Sequence, residues 1–173
     1  PALSTITTQG MYKKQKYRQL LQLIAVAGCC VMFGDREDFL NIIRLPSGSP
    51  VDTIDFDNIY KEPQIKLDKL VSRVEVNYYS NPDTVAGTYV LTGSIAGGAT
   101  LKVENTLINN QAHAKTVAQW IMNEANKRAI YEVNWRQNPA LECADIVSIE
   151  DSCGAFKDSR IIRQEFDYSG YLS

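Results

Sequence analysis

The chain has 173 residues, 45% of them hydrophobic and 22% charged, a make-up that excludes a disordered or collagen-like polypeptide. Its 18 Lys and Arg against 20 Asp and Glu leave a formal charge of -2, so the bulk basic footprint of a nucleic-acid binder is missing and no nucleic-acid partner is expected. No apolar run approaches the roughly 20 residues of a membrane helix, and the first ten residues are polar and Thr-rich, unlike an export signal.

From Tyr12 onward Tyr17, Leu20, Leu21, Ile24, Ala25 and Gly28 recur at helical spacing, which predicts an amphipathic helix ending at Gly28. Lys13, Lys14, Lys16 and Arg18 fall in its first turns, where the helix dipole disfavours positive charge. They read as a solvated face, with an anionic partner surface as the alternative. Apolar residues 29–33 and 39–45 flank polar residues 34–38 and predict two strands about a tight turn. Pro46, Ser47, Gly48, Ser49 and Pro50 make the clearest internal loop. Asp52, Asp55 and Asp57 lack the glycine turn and distal glutamate of a calcium loop, so a capped or solvated turn is expected there. Residues 64–67 and 71–79 predict strands, the second with Arg73, Glu75 and Asn77 alternating against Val74, Val76 and Tyr78.

Residues 81–87 read as a turn region, followed by strands at 88–92 and 100–103 about a Gly-rich stretch, 93–98. Gly93, Gly97 and Gly98 have neither the Lys-Ser/Thr of a phosphate loop nor GxGxxG spacing, and predict a hairpin tip. A second helix is expected over about 111–128, with Ala114, Val117, Ala118, Ile121, Met122 and Ala125 as its apolar stripe and Asn109 or Asn110 as its cap. Trp120 lies off the centre of that stripe. Residues 130–136 predict a strand, Asn138-Pro139 a turn, and 145–149 with 159–166 a hairpin across a polar connection. Two amphipathic helices among eight to ten short strands, without regular strand–helix alternation, indicate an α+β class of mainly antiparallel sheet in β-barrel-like modules. Two modules are expected, 1–79 with a helix and hairpin, and 80–173 with one helix and a closing C-terminal hairpin. Residue 1 is Pro and the chain stops at Tyr171, Leu172 and Ser173, as in a piece of a longer protein.

Chemistry-bearing residues are sparse. Cys29, Cys30, Cys143 and Cys153 form no CxxC pair, so a zinc site or thioredoxin-type motif is not expected. Reduced thiols are the expectation, and a Cys143–Cys153 bridge is left open by the sequence. His113 is the single histidine, and without a family signature around any cysteine it reads as an exposed or capping residue rather than a catalytic base. Glu142, Asp145, Glu150 and Asp151 supply carboxylates for a glycosidase pair, but sequence alone gives no separation between them. No catalytic, metal-binding or cofactor-binding residue is assigned.

The most specific stretch is WRQNPALECADIV at 135–147, continued to the C-terminus by a strand–turn–strand pattern. Asn138-Pro139 restricts the backbone to an extended or turn geometry, and Asp145 precedes an apolar strand. Trp135, Arg136, Asn138, Pro139, Leu141, Glu142, Asp145, Ile146 and Val147 resemble the closing segment of tail-tip or baseplate-hub proteins of tailed bacteriophages and prophages. Gln137 and Ala144 depart from that pattern, where glycine is more usual. The resemblance extends through most of the chain, but only the last forty or so residues carry it specifically. It implies a virion structural protein in the phage tail, made in the bacterial cytoplasm and joining the tail tube to adsorption or wall-penetrating parts. Other tail proteins are the implied partners and a homotrimer the implied assembly, with Tyr12, Tyr60, Tyr78, Tyr79, Tyr89, Tyr168 and Tyr171 available for interfaces. The alternatives are a module binding host-surface glycan or another tail protein, which calls for an aromatic-rimmed groove, and a cell-wall hydrolase fragment.

Overall fold

A computed structural model describes residues 12–166 apart from 36, 38, 96 and 137. Its elements run α1 (Tyr17–Ala27), β1 (Val31–Gly34), β2 (Leu40–Ile43), β3 (Asp52–Ile54), a 3-10 turn (Phe56–Asn58), β4 (Ile59–Leu67), β5 (Val71–Asn81), β6 (Thr84–Thr92), β7 (Ala99–Glu104), α2 (Gln111–Ala125), β8 (Ala129–Trp135), β9 (Ile146–Glu150) and β10 (Phe156–Arg160). The class is α+β and β-rich, as the sequence indicates. The described sheets have two or three strands and none closes on itself, which corrects the barrel-like expectation.

Two compact units share the chain. The first comprises Pro1–Gly34, Leu40–Arg44 and Asp68–Arg128, and the second Asp35–Phe39, Leu45–Leu67 and Ala129–Ser173. A division after residue 79 would cut β5, which continues to Asn81 and turns directly into β6.

In the first unit α1 begins only at Tyr17, because Lys16 at the cap offers no side-chain acceptor to the first amides. Its end is better made. Gly28 caps it, the Cys29 amide donates to Val26 O at 3.1 Å and the Cys30 amide to Ala25 O at 2.8 Å, with Cys29 in the left-handed region at φ 53°. This is the Schellman arrangement, carried by a cysteine where glycine is usual. β1 and β2 then pair as the expected antiparallel hairpin.

β5 is the central strand of a sheet ordered β6-β5-β7. Its hairpin with β6 turns at Pro82-Asp83, and Asn81 Oδ1 accepts from the Asp83 amide at 3.0 Å. The turn is tighter than the expected 81–87, because the Thr-Val-Ala-Gly run after it pairs as strand. The Tyr78 ring lies over Gly87, its register partner. β7 pairs with β5 in parallel, so residues 93–98 are no hairpin tip; they carry the chain around the start of β5 from one edge of the sheet to the other. Gly93 N donates to Ser72 O and Ala99 N to Leu70 O, both at 2.8 Å, which pins that crossover on either side of Val71.

One face of this sheet meets α2. Val74 and Val76 pack with Ile108, Ala114, Val117, Ala118 and Met122 in a core that Leu23 and Ile24 of α1 flank. The other face of β5 bears Arg73, Glu75 and Asn77, as the alternation predicts, and Glu75 pairs with Arg73 Nε at 2.8 Å. Asn110 caps α2 by accepting from the His113 amide at 2.8 Å. The helix stops at Ala125 rather than 128: Arg128 is used instead to exchange backbone and side-chain bonds with Asp68 at 2.9 and 2.8 Å. Trp120 is half-buried.

The second unit combines a three-stranded sheet, β10-β9-β3, with a two-stranded antiparallel ribbon of β4 and β8. β9 pairs with β10 in a closing hairpin, but the second strand runs Phe156–Arg160 rather than over the expected 159–166, because Asp151 takes the Cys153 and Ala155 amides and closes the turn within 151–155. β3 joins β9 in parallel. Ile54, Leu141, Val147 and Ile149 make the core, with Ile59, Tyr131, Val133, Trp135 and Ile161 packed on it.

Candidate functional site

The residues singled out by sequence are brought into contact across long chain separations in the second unit. Trp135 packs on the small core, and Leu141 and Val147 belong to it. The Arg136 amide donates to Asn58 O at 2.7 Å, while its side chain is exposed. Asn138 works at both ends of its amide: Oδ1 accepts from the Ala140 amide at 2.9 Å, closing the turn at the exposed Pro139, and Nδ2 donates to Asp52 Oδ2 at 2.8 Å. Ile146 O accepts from the Val51 amide at 2.8 Å, which docks β3 on β9. These positions do architectural work.

Three of the four carboxylates of the glycosidase reading are committed to backbone amides, and Glu142 enters through its own amide. Asp145 Oδ2 accepts from the Glu142 amide at 2.8 Å, Glu150 Oε2 from the Phe56 amide at 3.0 Å, and Asp151 Oδ1 from the Cys153 and Ala155 amides at 2.9 and 3.0 Å. Upstream, Asp55 caps the 3-10 turn, accepting from Asn58 N, which is the capped turn expected for that acidic segment. Carboxylates committed to backbone amides hold loops in place.

Ala144 is the most informative departure from the resemblance. It occupies the third position of the turn from Glu142 to Asp145, its φ is 80°, and its amide donates to Ile161 O at 2.8 Å. A turn residue with φ > 0 favours glycine, which gives the physical reason why glycine suits this place. Ala144→Gly is expected to leave stability within about 1 kcal/mol, since relieved strain offsets lost burial and added chain entropy. Ala144→Val, β-branched at a left-handed and buried site, should lower it by about 2–4 kcal/mol. Urea unfolding of the two variants checks both. Gln137, the other departure, lies outside the described residues.

His113 is also structural. Its Nε2 lies 2.7 Å from Ala27 O, and since a carbonyl only accepts, Nε2–H donates, tying the start of α2 to the end of α1. The four cysteines are free. Burial pushes the Cys29 thiol up, with Cys30 beside it adding to the effect and Arg44 opposing it; burial likewise raises Cys30 against the pull of Arg44. A raised thiol pKa suppresses the reactive thiolate. Iodoacetamide at neutral pH should therefore label exposed Cys153 first and half-buried Cys143 after it, with Cys29 and Cys30 reacting only on unfolding; peptide mass spectrometry reads the order. As these thiols are held neutral in the fold, their contribution to stability is present below the unfolded thiol pKa and is lost as pH rises past it.

The concavity on the β4–β8 ribbon is lined by Lys61, Glu62, Gln64, Glu132, Val133 and Asn134. No aromatic is among them, so it is not the aromatic-rimmed groove that the glycan-binding alternative calls for. Of the tyrosines offered for interfaces, Tyr12 and Tyr60 are exposed, Tyr78 and Tyr89 pack against the first core, Tyr79 is half-buried, and Tyr168 and Tyr171 lie outside the described residues. Sequence reading named Asp52 only within an acidic turn and Glu150 only as a candidate carboxylate, and passed over Asn105; the partners that make them organising residues lie 82–94 residues away in the chain.

No family model matches this chain, and neither does any curated protein. Solved structures do. The tail protein from Neisseria meningitidis MC58 superposes with a TM-score of 0.62 at 14% identity, over 86% of this chain and 48% of its own. The 43 kDa tail protein of prophage MuSo2 from Shewanella oneidensis gives 0.58 at 17%, over 84% and 48%, and a chain of the native gene transfer agent virion gives 0.69 at 16%, over 93% and 39%. The chain thus spans less than half the length of each of these neighbours. Each match covers more of the chain than either unit contains, so both units contribute to the likeness, and the chain accordingly shares the fold of these phage-type tail and virion proteins.

Proposed function

We propose that this chain is a structural component of a bacteriophage-type tail, at the tail tip or baseplate hub, where it links the tail tube to adsorption or wall-penetrating parts. The observation that carries the reading is the likeness of nearly the whole chain to two tail proteins and a virion chain. The surface supports it. On one face of the β4–β8 ribbon Ile65 stands opposite Tyr131 and Leu67 opposite Ala129, with Ile65 and Leu67 56% and 71% exposed. A two-stranded ribbon is marginal by itself, and exposed apolar side chains aligned along it suit a protein–protein contact. The role is read as non-enzymatic, since three of the four carboxylates offered for a glycosidase pair are engaged with backbone amides. The partners are other tail proteins and further copies of this chain, in a trimer, within a virion assembled from parts made in the bacterial cytoplasm.

Quantitative mass spectrometry of purified particles tests this. A few copies per particle, in a multiple of three relative to the major tail-tube protein, is the expected result. Absence of the chain from intact particles while it is abundant in cells overturns the reading.

A further inference from the structure

The overall charge of -2 conceals a segregation. Over the first unit eleven Lys and Arg stand against five Asp and Glu, and over the second seven stand against fifteen. The acidic second unit also carries two exposed phenylalanines, Phe56 at 43% and Phe156 at 52%, and both lie beside one carboxylate. Phe156 is the register partner of Glu150, and directly opposed residues of an antiparallel pair share a face with Cβ atoms about 5 Å apart. From the other side of β9 the Phe56 amide donates to Glu150 Oε2 at 3.0 Å, because β3 runs beside β9 in parallel and hands the chain to the 3-10 turn there. Glu150 Oε1 accepts no hydrogen bond from the described residues. Both rings stand on fastened turns. Asp55 Oδ1 takes the Asn58 backbone and side-chain amides at 3.2 and 2.7 Å just after Phe56, and Asp151 Oδ1 takes the Cys153 and Ala155 amides just before Phe156. Neither ring is among the residues packed on the small core.

We infer that Phe56, Phe156 and the Glu150 carboxylate form a docking point for an arginine side chain presented by a partner protein. Rings that add nothing to their own core and are held out on fastened turns lose little further freedom when a partner covers them, which is what an interface anchor requires. Charge selects the occupant. A guanidinium stacks flat on a phenyl ring and bonds a carboxylate through its planar fork, and the negative excess of the unit attracts it from a distance. A lysine ammonium lacks the planar face, and an uncharged apolar anchor would bury the Glu150 carboxylate without a counter-charge. A neutral glycan would leave the negative excess unused. The inference deepens the tail reading above and rests on it for the partner being another tail protein; the rings and the carboxylate choose what that partner presents.

The test titrates the 173-residue chain with N-acetyl-arginine N-methylamide and follows the backbone amides by NMR, with the norleucine counterpart as an uncharged probe. Three variants accompany the unaltered chain. F156T keeps a strand-forming residue in β10, and E150Q keeps an oxygen for the Phe56 amide while removing the charge, so circular dichroism should show both folded. E62Q removes the same charge from an exposed position on β4. With arginine, shifts should gather on residues 56, 150 and 154–156, and norleucine should leave those amides in place. F156T and E150Q should each bind arginine about two- to fivefold more weakly, and E62Q should bind it as the unaltered chain does. A loss in E62Q equal to that in E150Q, shifts spread over the other carboxylates of the unit, or a norleucine response equal to that of arginine overturns the inference. So does the absence of any response to arginine, or N-acetylglucosamine moving these amides where arginine does not. Should particles contain the chain while arginine fails to bind, the docking point falls and the tail role stands; should arginine bind here and particles lack the chain, the reverse holds.

Discussion

Gly98→Ala is expected to destabilise the first unit by about 2–4 kcal/mol. A Cβ at Gly98 would lie 2.7 Å from Leu70 O, 2.8 Å from Ser72 N and 3.0 Å from Ser72 Cβ. Two of those atoms are backbone of the strand's own start, and neither has a rotamer through which to move. The clash also falls where the crossover is pinned by the bonds from Gly93 and Ala99 to Ser72 and Leu70, so relieving it means loosening the parallel pairing of β5 and β7. Gly34 and Gly48 provide the control, since a Cβ at either meets nothing within 4 Å. Alanine there should be neutral or stabilise by up to about 1 kcal/mol through reduced freedom of the unfolded chain. Denaturant unfolding followed by tryptophan fluorescence and by far-UV circular dichroism separates the three. Equal midpoints for Gly98→Ala and Gly48→Ala would show that the crossover is not the tight approach described here.

Asn105→Leu should cost about 2–5 kcal/mol. Asn105 is 1% exposed, and its amide is used in both directions: Nδ2 donates to Leu23 O of α1 at 2.8 Å, and Oδ1 accepts from the Leu107 amide at 3.0 Å. A leucine nearly matches the volume yet leaves the buried Leu107 amide without its acceptor, an orphan that costs about 1–3 kcal/mol, and the lost bond to the part-buried Leu23 carbonyl adds about 0.5–1.5 kcal/mol. The loop it organises delivers Ile108, whose carbonyl accepts from the Tyr79 amide at 2.8 Å and whose side chain is fully buried. The effect should therefore reach both α1 and the end of β5. Asn105→Asp gives the same site a pH dependence. Burial opposes the charged form, so the folded pKa of the new carboxyl rises above its unfolded value. The folded state then binds the proton more tightly, and the penalty should be smallest at low pH and grow as pH rises through the carboxylate range. Amide exchange of residues 105–110, compared at two pH values, reads this directly; an exchange rate unchanged from the parent would dismiss Asn105 as the organiser of that loop.

Much of the secondary structure was readable from the chain alone, for a common reason. The stripe on α2, its Asn110 cap, the alternation along β5 and the closing hairpin of β9 and β10 all depend on neighbours within a few residues, and spacing and turn chemistry report on such neighbours. The boundaries that shifted at the start of α1 and the end of α2 are places where a missing cap or a distant partner outweighs periodicity, and the second strand of the closing hairpin moved to Phe156–Arg160 because the Asp151 turn closes early. The closing motif was likewise visible as residues, though not as contacts: Asn138 meets Asp52 and Glu150 meets the Phe56 amide across separations of 86 and 94 residues.

What local sequence determined about this protein is its α+β class, its two amphipathic helices, the position of most strands and the absence of a recognisable catalytic signature. Tertiary structure alone decided the two parallel pairings, the role of residues 93–98 as a crossover rather than a hairpin tip, the open sheets in place of barrels, and the division into two interleaved units. Those depend on which distant segments pair, and a glycine-rich stretch has the same composition whether its flanking strands lie side by side or have a third between them. The segregation of charge belongs with them. Composition sums to nearly nothing over the whole chain, and the two opposite excesses become visible only when folding shows which segments share a unit.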